Sequence, residues 1–540
     1  MLMDEKDLHK KLWIEDRGHT SWEVMKQLLA FWPSLGPWYK RKCDFTGETI
    51  LTNLSDKARF PVYKYEVFIS DQRTPIEATY DPNQSFFAQL KKLQEANPRP
   101  HQIGENNENC FYCDDVWGCK SCYLSTSMLE CENLFYSYRN LKGVDSIDLV
   151  FCFDVEKSIS VTYGEKCYKT YYSLHVTNCR NSYFLYDCVN CSNCFMCWNL
   201  RNKEFCIRNE QYSKEEYKKK LEEYTLSSRT SIDILQQEFE QHVKDDALHK
   251  AVDNLNCEGV TGTYNINCKN SEELFFVQES QDCKNVFRAY QDSDCMDCGG
   301  LMDSQLCYMC SGVSYGHKLK FSAYSIRCQN SAYLDNCHSC NNCFGCVSLK
   351  RKEFCILNKQ YTKEEYEKLL PQIIEKMRAP SSAGEADSEW WKFLPYDMAY
   401  TWYNATLANI YYADTKENIM KLWGYRDEEH INSDAETQDI PDDINDVPET
   451  FSSVVVRCTK TNKSFNFAKQ VITLYKEANL PLPNIFHTER IIEKFKPLIF
   501  NERYETTCYI TGKKIVHYYP PSLGYKKIVS WVAYEKEIYW

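Results

Sequence analysis

Apolar and polar positions recur along this chain with a period of twelve. Cys119, Cys131, Gly143, Val155, Cys167, Cys179 and Cys191 follow one another at steps of 12 residues without a slip. Four residues further on, the same register gives Tyr123, Phe135, Ile147, Ile159, Tyr171, Tyr183 and Phe195, all large and apolar or aromatic. Three residues on, it gives Cys122, Leu134, Ser146, Ser158, Thr170, Ser182 and Cys194, mostly small. Twelve residues is too short for a helix pair, and Asn, Ser, Asp and Gly recur between the columns. The pattern predicts a β-solenoid, each repeat giving one or two short strands and turns, with equivalent residues stacked about 4.8 Å apart. Inward columns are expected as aromatic or small-residue stacks, and corner columns as Asn/Asp turns.

The pattern returns after residue 250. Cys283, Cys295 and Cys307 keep the step of 12; Cys328 follows after 21 residues, which reads as a slip, and Cys340 after 12 more. Residues 179–217 align without gaps to 328–366, with 23 identities in 39, so the unit is duplicated. Each copy ends in a helix signal. "YSKEEYKKKLEEY" and "YTKEEYEKLLPQIIEKM" place Ser213 or Thr362 three residues before Glu216 or Glu365, a capping box, and Tyr217, Leu221 and Tyr224 follow at helical spacing. Such helices would cover the otherwise open last repeat. Residues 225–250 read as a further helical connector. Residues 1–100 mix a short helix with strands around "KRKCDFTGETI", and 451–540 combine strands with a helix stopped by the Pro-Leu-Pro at 481–483.

Composition narrows the class. The 540 residues include 39 Tyr, 27 Phe and 12 Trp, which excludes bulk disorder and allows several domains. No run of 18 apolar residues occurs, so no membrane span is expected, and the charged beginning carries no apolar core of signal-peptide length. The expected compartment is the cytoplasm, where the 29 cysteines stay reduced. Of the net charge of −12, residues 381–450 account for all, with 16 Asp/Glu against 4 Lys/Arg. That stretch reads as an acidic linker or surface segment, and the totals give no strong nucleic-acid signal.

Several stretches occur together in a set order: "YKRKCDFTGETI…FPVYKYEVF", the Asn/Cys/Tyr repeats ending "KEFCI", "GYRDEEH…QDIPDDINDVPET" and "ANLPLPNIFHTER". They resemble a family of large Cys/Tyr-rich repeat proteins from bacteria of the candidate phyla radiation. The resemblance spans nearly the whole chain. It implies zinc-ribbon-like ends around cysteine-rich repeats and brings no assigned activity. The family's ends typically carry paired C-x2-C knuckles. Here Cys43-Asp-Phe-Thr46, Cys458-Thr-Lys-Thr461 and Cys508-Tyr-Ile-Thr511 keep one cysteine of each pair, and His487-Thr-Glu-Arg490 stands where a second knuckle would follow. A structural zinc site needs four ligands, so these ends read as ribbons that have lost most of them.

The expected fold class is therefore mainly β with α elements: two capped β-solenoid units of 12-residue period flanked by small α+β, zinc-ribbon-like terminal domains. The expected boundaries are an N-terminal domain at 1–100, solenoid 1 at 101–211, cap and connector at 212–250, and solenoid 2 at 251–361. A cap at 362–378, the acidic segment at 379–450 and a C-terminal domain at 451–540 complete the chain.

Candidate chemistry centres on cysteine. Cys188, Cys191, Cys194 and Cys197 form one C-x2-C-x2-C-x2-C cluster, and Cys337, Cys340, Cys343 and Cys346 form another. Cys110, Cys113, Cys119 and Cys122 are a third group, with a five-residue gap. All are candidate metal ligands. Against this, Cys188, Cys191, Cys194 and Cys197 fall in repeat columns whose other members are ordinary small or apolar residues, and Cys119 and Cys122 also fall in ladder columns, as a core ladder of free thiols would require. Consecutive cysteines on a strand are also expected to face opposite ways unless a corner intervenes, whereas a metal needs converging sulfurs. No cofactor is the leading expectation, with zinc the alternative and an iron–sulfur cluster behind it. No P-loop, dinucleotide fingerprint, G-x-S-x-G or H-E-x-x-H occurs. His175 beside Leu174 reads as a satisfied or solvent-facing histidine rather than a thiol's partner, and Asp292, Asp294 and Asp297 read as turn residues rather than a carbohydrate-cleaving cluster. The expected function is a non-enzymatic scaffold or binding protein for a protein or extended polymer. A metal- or redox-linked protein is the alternative, and a carbohydrate-active enzyme the third reading.

Overall fold

The computed structural model describes residues 21–379, 388–422, 424–425, 436–500 and 502–539. The charged N-terminal stretch and parts of the acidic segment (380–387, 426–435) lie outside them. The protein is mainly β with helices, and most of its strands run parallel in two large sheets. It divides into two compact units: residues 1–101, 252–426 and 500–502 form one, and 102–251, 427–499 and 503–540 the other. Among the described residues no helix is long and apolar enough to cross a membrane.

In the unit that holds residues 102–251, successive strands pair with partners 12 residues on. Tyr171 pairs with Tyr183, and Tyr183 with Phe195, as expected. Within that period lies a shorter one of three. Every third residue from Asn106 to Arg208 has positive φ, near +50° to +60°. The other unit repeats this from Tyr264 to Leu357. A left-handed residue bends the chain, so each triplet forms one short straight piece. Asn, Asp and Ser are frequent at these positions and Val, Ile, Thr and Pro never occur there, because a branched Cβ clashes in this region.

The backbone bonds follow the triplet. Glu108 N–H donates to Cys119 C=O (2.9 Å), and Ser121 N–H donates back to Glu108 C=O (2.8 Å). The same pair of bonds recurs at Phe111, Cys122 and Leu124. This leaves the N–H of the residue after each left-handed position without a place in the ladder. That residue is the buried one of the triplet: Cys113, Val116, Cys119, Cys122, Met128, Cys131, Leu134 and onward to Cys206 join one buried cluster. The other unit has its own, from Cys268 to Cys355.

Two expectations are corrected by these arrays. The aromatic column does not point into this interior. Phe135, Ile147, Ile159, Tyr171 and Phe195 belong to a separate core, buried under the helices Arg229–Asp245 and Lys469–Ala478. The interior is too narrow for rings: a Cβ on Gly164 would sit 2.6 Å from Val161 Cγ1. The slip before Cys328 is also absent, because 21 residues are seven triplets, and Gln305, His317 and Gln329 pair in steps of 12 across it. The real irregularity comes at the start of that sheet, where Val260 pairs with Ser271, 11 residues on, and a bulge precedes Gly262.

Each array closes at its C-terminal end by an antiparallel pairing, Glu204–Ile207 with Glu210–Gln211 and Cys355–Ile356 with Lys359–Gln360. The helices Lys214–Leu221 and Lys363–Arg378 follow, each with its capping box formed. The acidic segment, expected as a linker or surface segment, contributes buried apolar residues in its described parts. Trp390, Phe393, Leu394, Met398, Tyr403, Leu407 and Tyr411 are buried, and Ile440, Ile444, Val447 and Phe451 join the aromatic core of the other unit. The acidic residues had masked the aromatic ones between them.

Candidate functional site

All twelve candidate cysteines occupy the inward position of a triplet, and all but the half-buried Cys110 are buried. Cys188, Cys191, Cys194 and Cys197 take the four such positions of one 12-residue repeat, and Cys337, Cys340, Cys343 and Cys346 those of another. The five-residue gap between Cys113 and Cys119 is a triplet position filled by Val116. The corner that keeps consecutive cysteines from facing opposite ways is present: a left-handed residue between each pair turns the chain, and all four face the same interior.

The thiols are engaged with the backbone. Cys188, Cys191, Cys194 and Cys197 donate Sγ–H to the carbonyls two residues back, at 3.5, 3.4, 3.4 and 3.3 Å. Cys337, Cys340, Cys343 and Cys346 repeat this at 3.7, 3.5, 3.3 and 3.6 Å. Cysteines at this position elsewhere in the array also accept the N–H that the ladder leaves over. Cys131 N–H donates to Cys119 Sγ (3.4 Å) and Gly143 N–H to Cys131 Sγ (3.4 Å). Serine does the same: Cys194 N–H donates to Ser182 Oγ and Cys343 N–H to Ser331 Oγ, both at 3.0 Å. The buried position thus asks for a small side chain that can donate to one repeat and accept from the next. Cysteine and serine meet this, which explains their alternation in the columns.

The thiols also touch one another. Contact with the Cys179, Cys188 and Cys194 thiols lowers the pKa of Cys191, and that of Cys194 is raised by Cys191, Cys197 and Cys206. In the third group, burial raises Cys113. Among the described residues no group of three or more His, Cys, Asp or Glu is arranged to hold a metal ion.

His175 sits at a left-handed position with its ring against Tyr163 (5.2 Å) and Tyr186 (5.9 Å). Asp294 and Asp297 are also left-handed, as turn residues should be. Asp292 differs. It fills a buried triplet position in a column with Ser280 and Ser304, donating N–H to Ser280 Oγ (3.0 Å) and accepting Ser304 N–H on Oδ1 (2.8 Å). Its Oδ2 is buried with no hydrogen-bond partner, and burial pushes its carboxyl up to about 8. The three aspartates do not converge.

The terminal cysteines share one local design. Cys43 accepts the N–H of Thr46 and of Lys64 (both 3.4 Å), and Lys64 opens the helix Tyr65–Ile69. Cys458 accepts the N–H of Phe486 (3.2 Å), which opens His487–Phe495, and Cys508 that of Ser530 (3.4 Å), which precedes Trp531–Tyr539. The His487 ring stacks on Tyr136 (5.0 Å). Burial would raise the Cys508 thiol, but hydrogen bonds from Thr511 and Ser530 outweigh it and bring it down to about 6.

Sequence reasoning missed the buried ionic anchors. In one unit Arg99 pairs with Asp335, which also accepts from Tyr400 (2.8 Å) and Gln94 (2.8 Å). In the other, Arg490 grips Asp148 through Nε (2.7 Å) and Nη2 (2.9 Å), and Asp187 pairs with Arg201 (3.0 Å) and Tyr534. Burial alone would raise the Asp187 carboxyl; Lys250 and Arg201 hold it below the usual range. Removing one partner of such a pair leaves an uncompensated buried charge, so these contacts fix the terminal segments on the sheets. In comparisons with known proteins, no family model matches the chain and no curated protein matches it.

Proposed function

We propose that the protein is a non-enzymatic scaffold or binding protein built on two four-sided β-solenoids, each 12-residue turn made of four triplets. The reading is supported by the step of 12 in strand pairing, the bend at every third residue and the single narrow interior of each array. One observation carries the functional part. The residue types that suggest chemistry are used as structure, since the cysteines face a packed interior and bond to backbone groups. What remains for recognition is the outside, where side chains repeat at a fixed spacing. The ends are read as ribbon halves in which a helix N-terminus takes the place of the second knuckle.

The test is a photo-reactive residue placed at Phe153 on one exposed column and, as a control, at Glu156 on the charged neighbour. A binding protein gives discrete adducts from position 153 in its source cells and none from 156. Equal or absent adducts at both positions would overturn the reading.

A further inference from the structure

One column outside the first array is apolar and uncovered. Trp117 pairs with Leu129, Leu129 with Leu141 and Leu141 with Phe153, so the four side chains stand in line on adjacent strands. Leu129 is 45% and Phe153 38% exposed, and Trp117 and Leu141 are half-buried. The row ends at Glu165, the next partner of Phe153. Along one side runs a rim of exposed Glu130, Lys142, Asp154 and Lys166, alternating in sign, with Glu130 and Lys142 3.9 Å apart. An apolar line inside a polar rim is the anatomy of a recognition surface.

We propose that this stripe receives an amphipathic helix from a partner protein, lying across the strands; this rests on the binding-protein reading above and names its partner class. The spacing fits. Strands lie about 4.8 Å apart, and a helix brings a residue to the same face about every 5.4 Å. Over the three steps from Trp117 to Phe153 the two rows drift apart by about 2 Å, within the reach of Leu and Phe side chains. The same protein already uses this mode. The helix Ser21–Ala30 lies across the strands Lys284–Tyr290, Met296–Gly299 and Tyr308–Ser311, with Leu28 C=O accepting from Ser311 Oγ (3.0 Å). The helix His487–Phe495 packs on the strand Val150–Phe153, its Phe495 against Tyr138 and Phe151 (5.1 and 6.1 Å), so the stripe adjoins a helix-covered face.

Charge and apolar supply choose the occupant. The rim calls for a helix with cations opposite Glu130 and Asp154 and anions opposite Lys142 and Lys166, which also fixes its direction. Among the described residues a second copy of this chain does not offer the matching row: the helix Lys416–Leu422 exposes only Met420 and Leu422, two positions apart and so on different faces. The helix Arg229–Asp245 buries Ile232, Leu235, Phe239 and Val243 and exposes only Ile234, and Trp531–Tyr539 exposes only Val532 and Tyr539 among its large apolar residues.

The probe is a fluorescein-labelled helical peptide with leucines at i, i+4, i+7 and i+11 and charges set against the rim, titrated with the full chain in fluorescence anisotropy. Binding is expected, weakened at least tenfold by Leu129→Glu and by Phe153→Glu, and weakened by reversing the peptide's charges. Circular dichroism of both variants should be unchanged, since neither side chain enters the interior. No binding, or binding unaffected by Leu129→Glu, overturns the proposal. So does a concentration-dependent dimer in sedimentation that Leu129→Glu dissociates, which would make a second copy the occupant. Adducts from position 153 in cells together with no peptide binding would sink the helix while leaving the binding-protein reading intact.

Discussion

Replacing Asp292 by serine should stabilise the protein at neutral pH and leave it unimproved in acid. The carboxyl sits in a buried column between Ser280 and Ser304, with Oδ1 bonded and Oδ2 unpartnered, and its pKa is pushed up to about 8 from an ordinary 3.8. Between those values the unfolded chain has released the proton and the folded chain keeps it. Stability therefore falls as pH rises, by about 1.4 kcal/mol per unit. At pH 7 the accumulated cost is roughly 4 kcal/mol. Serine retains an acceptor for Ser304 N–H and gives up a small volume, worth about 0.5 kcal/mol. Asp292→Ser should then gain about 3 kcal/mol at pH 7 and nothing at pH 4. Urea unfolding of both proteins at pH 4, 5.5 and 7 measures the difference. The buried histidines His249 (lowered to about 3 by burial), His101 and His338 (both to about 4) act with the opposite sign below 6.5, but they are common to both proteins and cancel. A stability difference that does not change with pH would refute the argument.

Gly164→Ala should cost about 1–3 kcal/mol through the contact with Val161 Cγ1, and Val161→Ala in the same chain should recover part of it; thermal unfolding of the four-member cycle measures the coupling. Lys166 has φ +52° on the surface, so Lys166→Val should destabilise by at least about 1 kcal/mol while Lys166→Gly does not, and equal effects would argue against the left-handed triplet. Replacing Cys191 and Cys194 by alanine should cost about 1–3 kcal/mol each through lost packing and an unpaired backbone group, and a strong chelator should leave the melting temperature of the natural protein unchanged; a chelator-induced loss of β structure would establish metal binding instead.

The period of twelve was legible because the aromatic column keeps its character from Tyr123 to Phe195. Its direction was not. A residue buried beneath a helix and one buried inside the array are equally apolar, and only the size limit set at Gly164 tells them apart. The triplet was hidden because its buried members range from Gly to Met, chosen by what the other three positions of the repeat leave over. One signal was available: stepping by three from Asn106 to Arg208 meets no Val, Ile, Thr or Pro. The capping boxes at Ser213 and Thr362 were readable because both partners lie within four residues. The anchors were not, since Arg490 meets Asp148, and Arg99 meets Asp335, across hundreds of residues with no local pattern.

The abundance of cysteine follows from the backbone. Each bend takes one N–H out of the strand ladder, and a buried N–H without a partner costs about 1–3 kcal/mol. A side chain two bonds long can reach it from the preceding repeat; leucine cannot bond it, and aspartate does so at Asp292 only by burying a carboxyl. Serine bonds it well but adds little apolar surface, whereas cysteine adds a polarisable sulfur that packs against its neighbours and still accepts. Runs of four cysteines are then the case in which every corner of one repeat makes the same choice. The motif that most suggests a metal centre thus has an account in packing and hydrogen bonding, which the chelator experiment puts to the test.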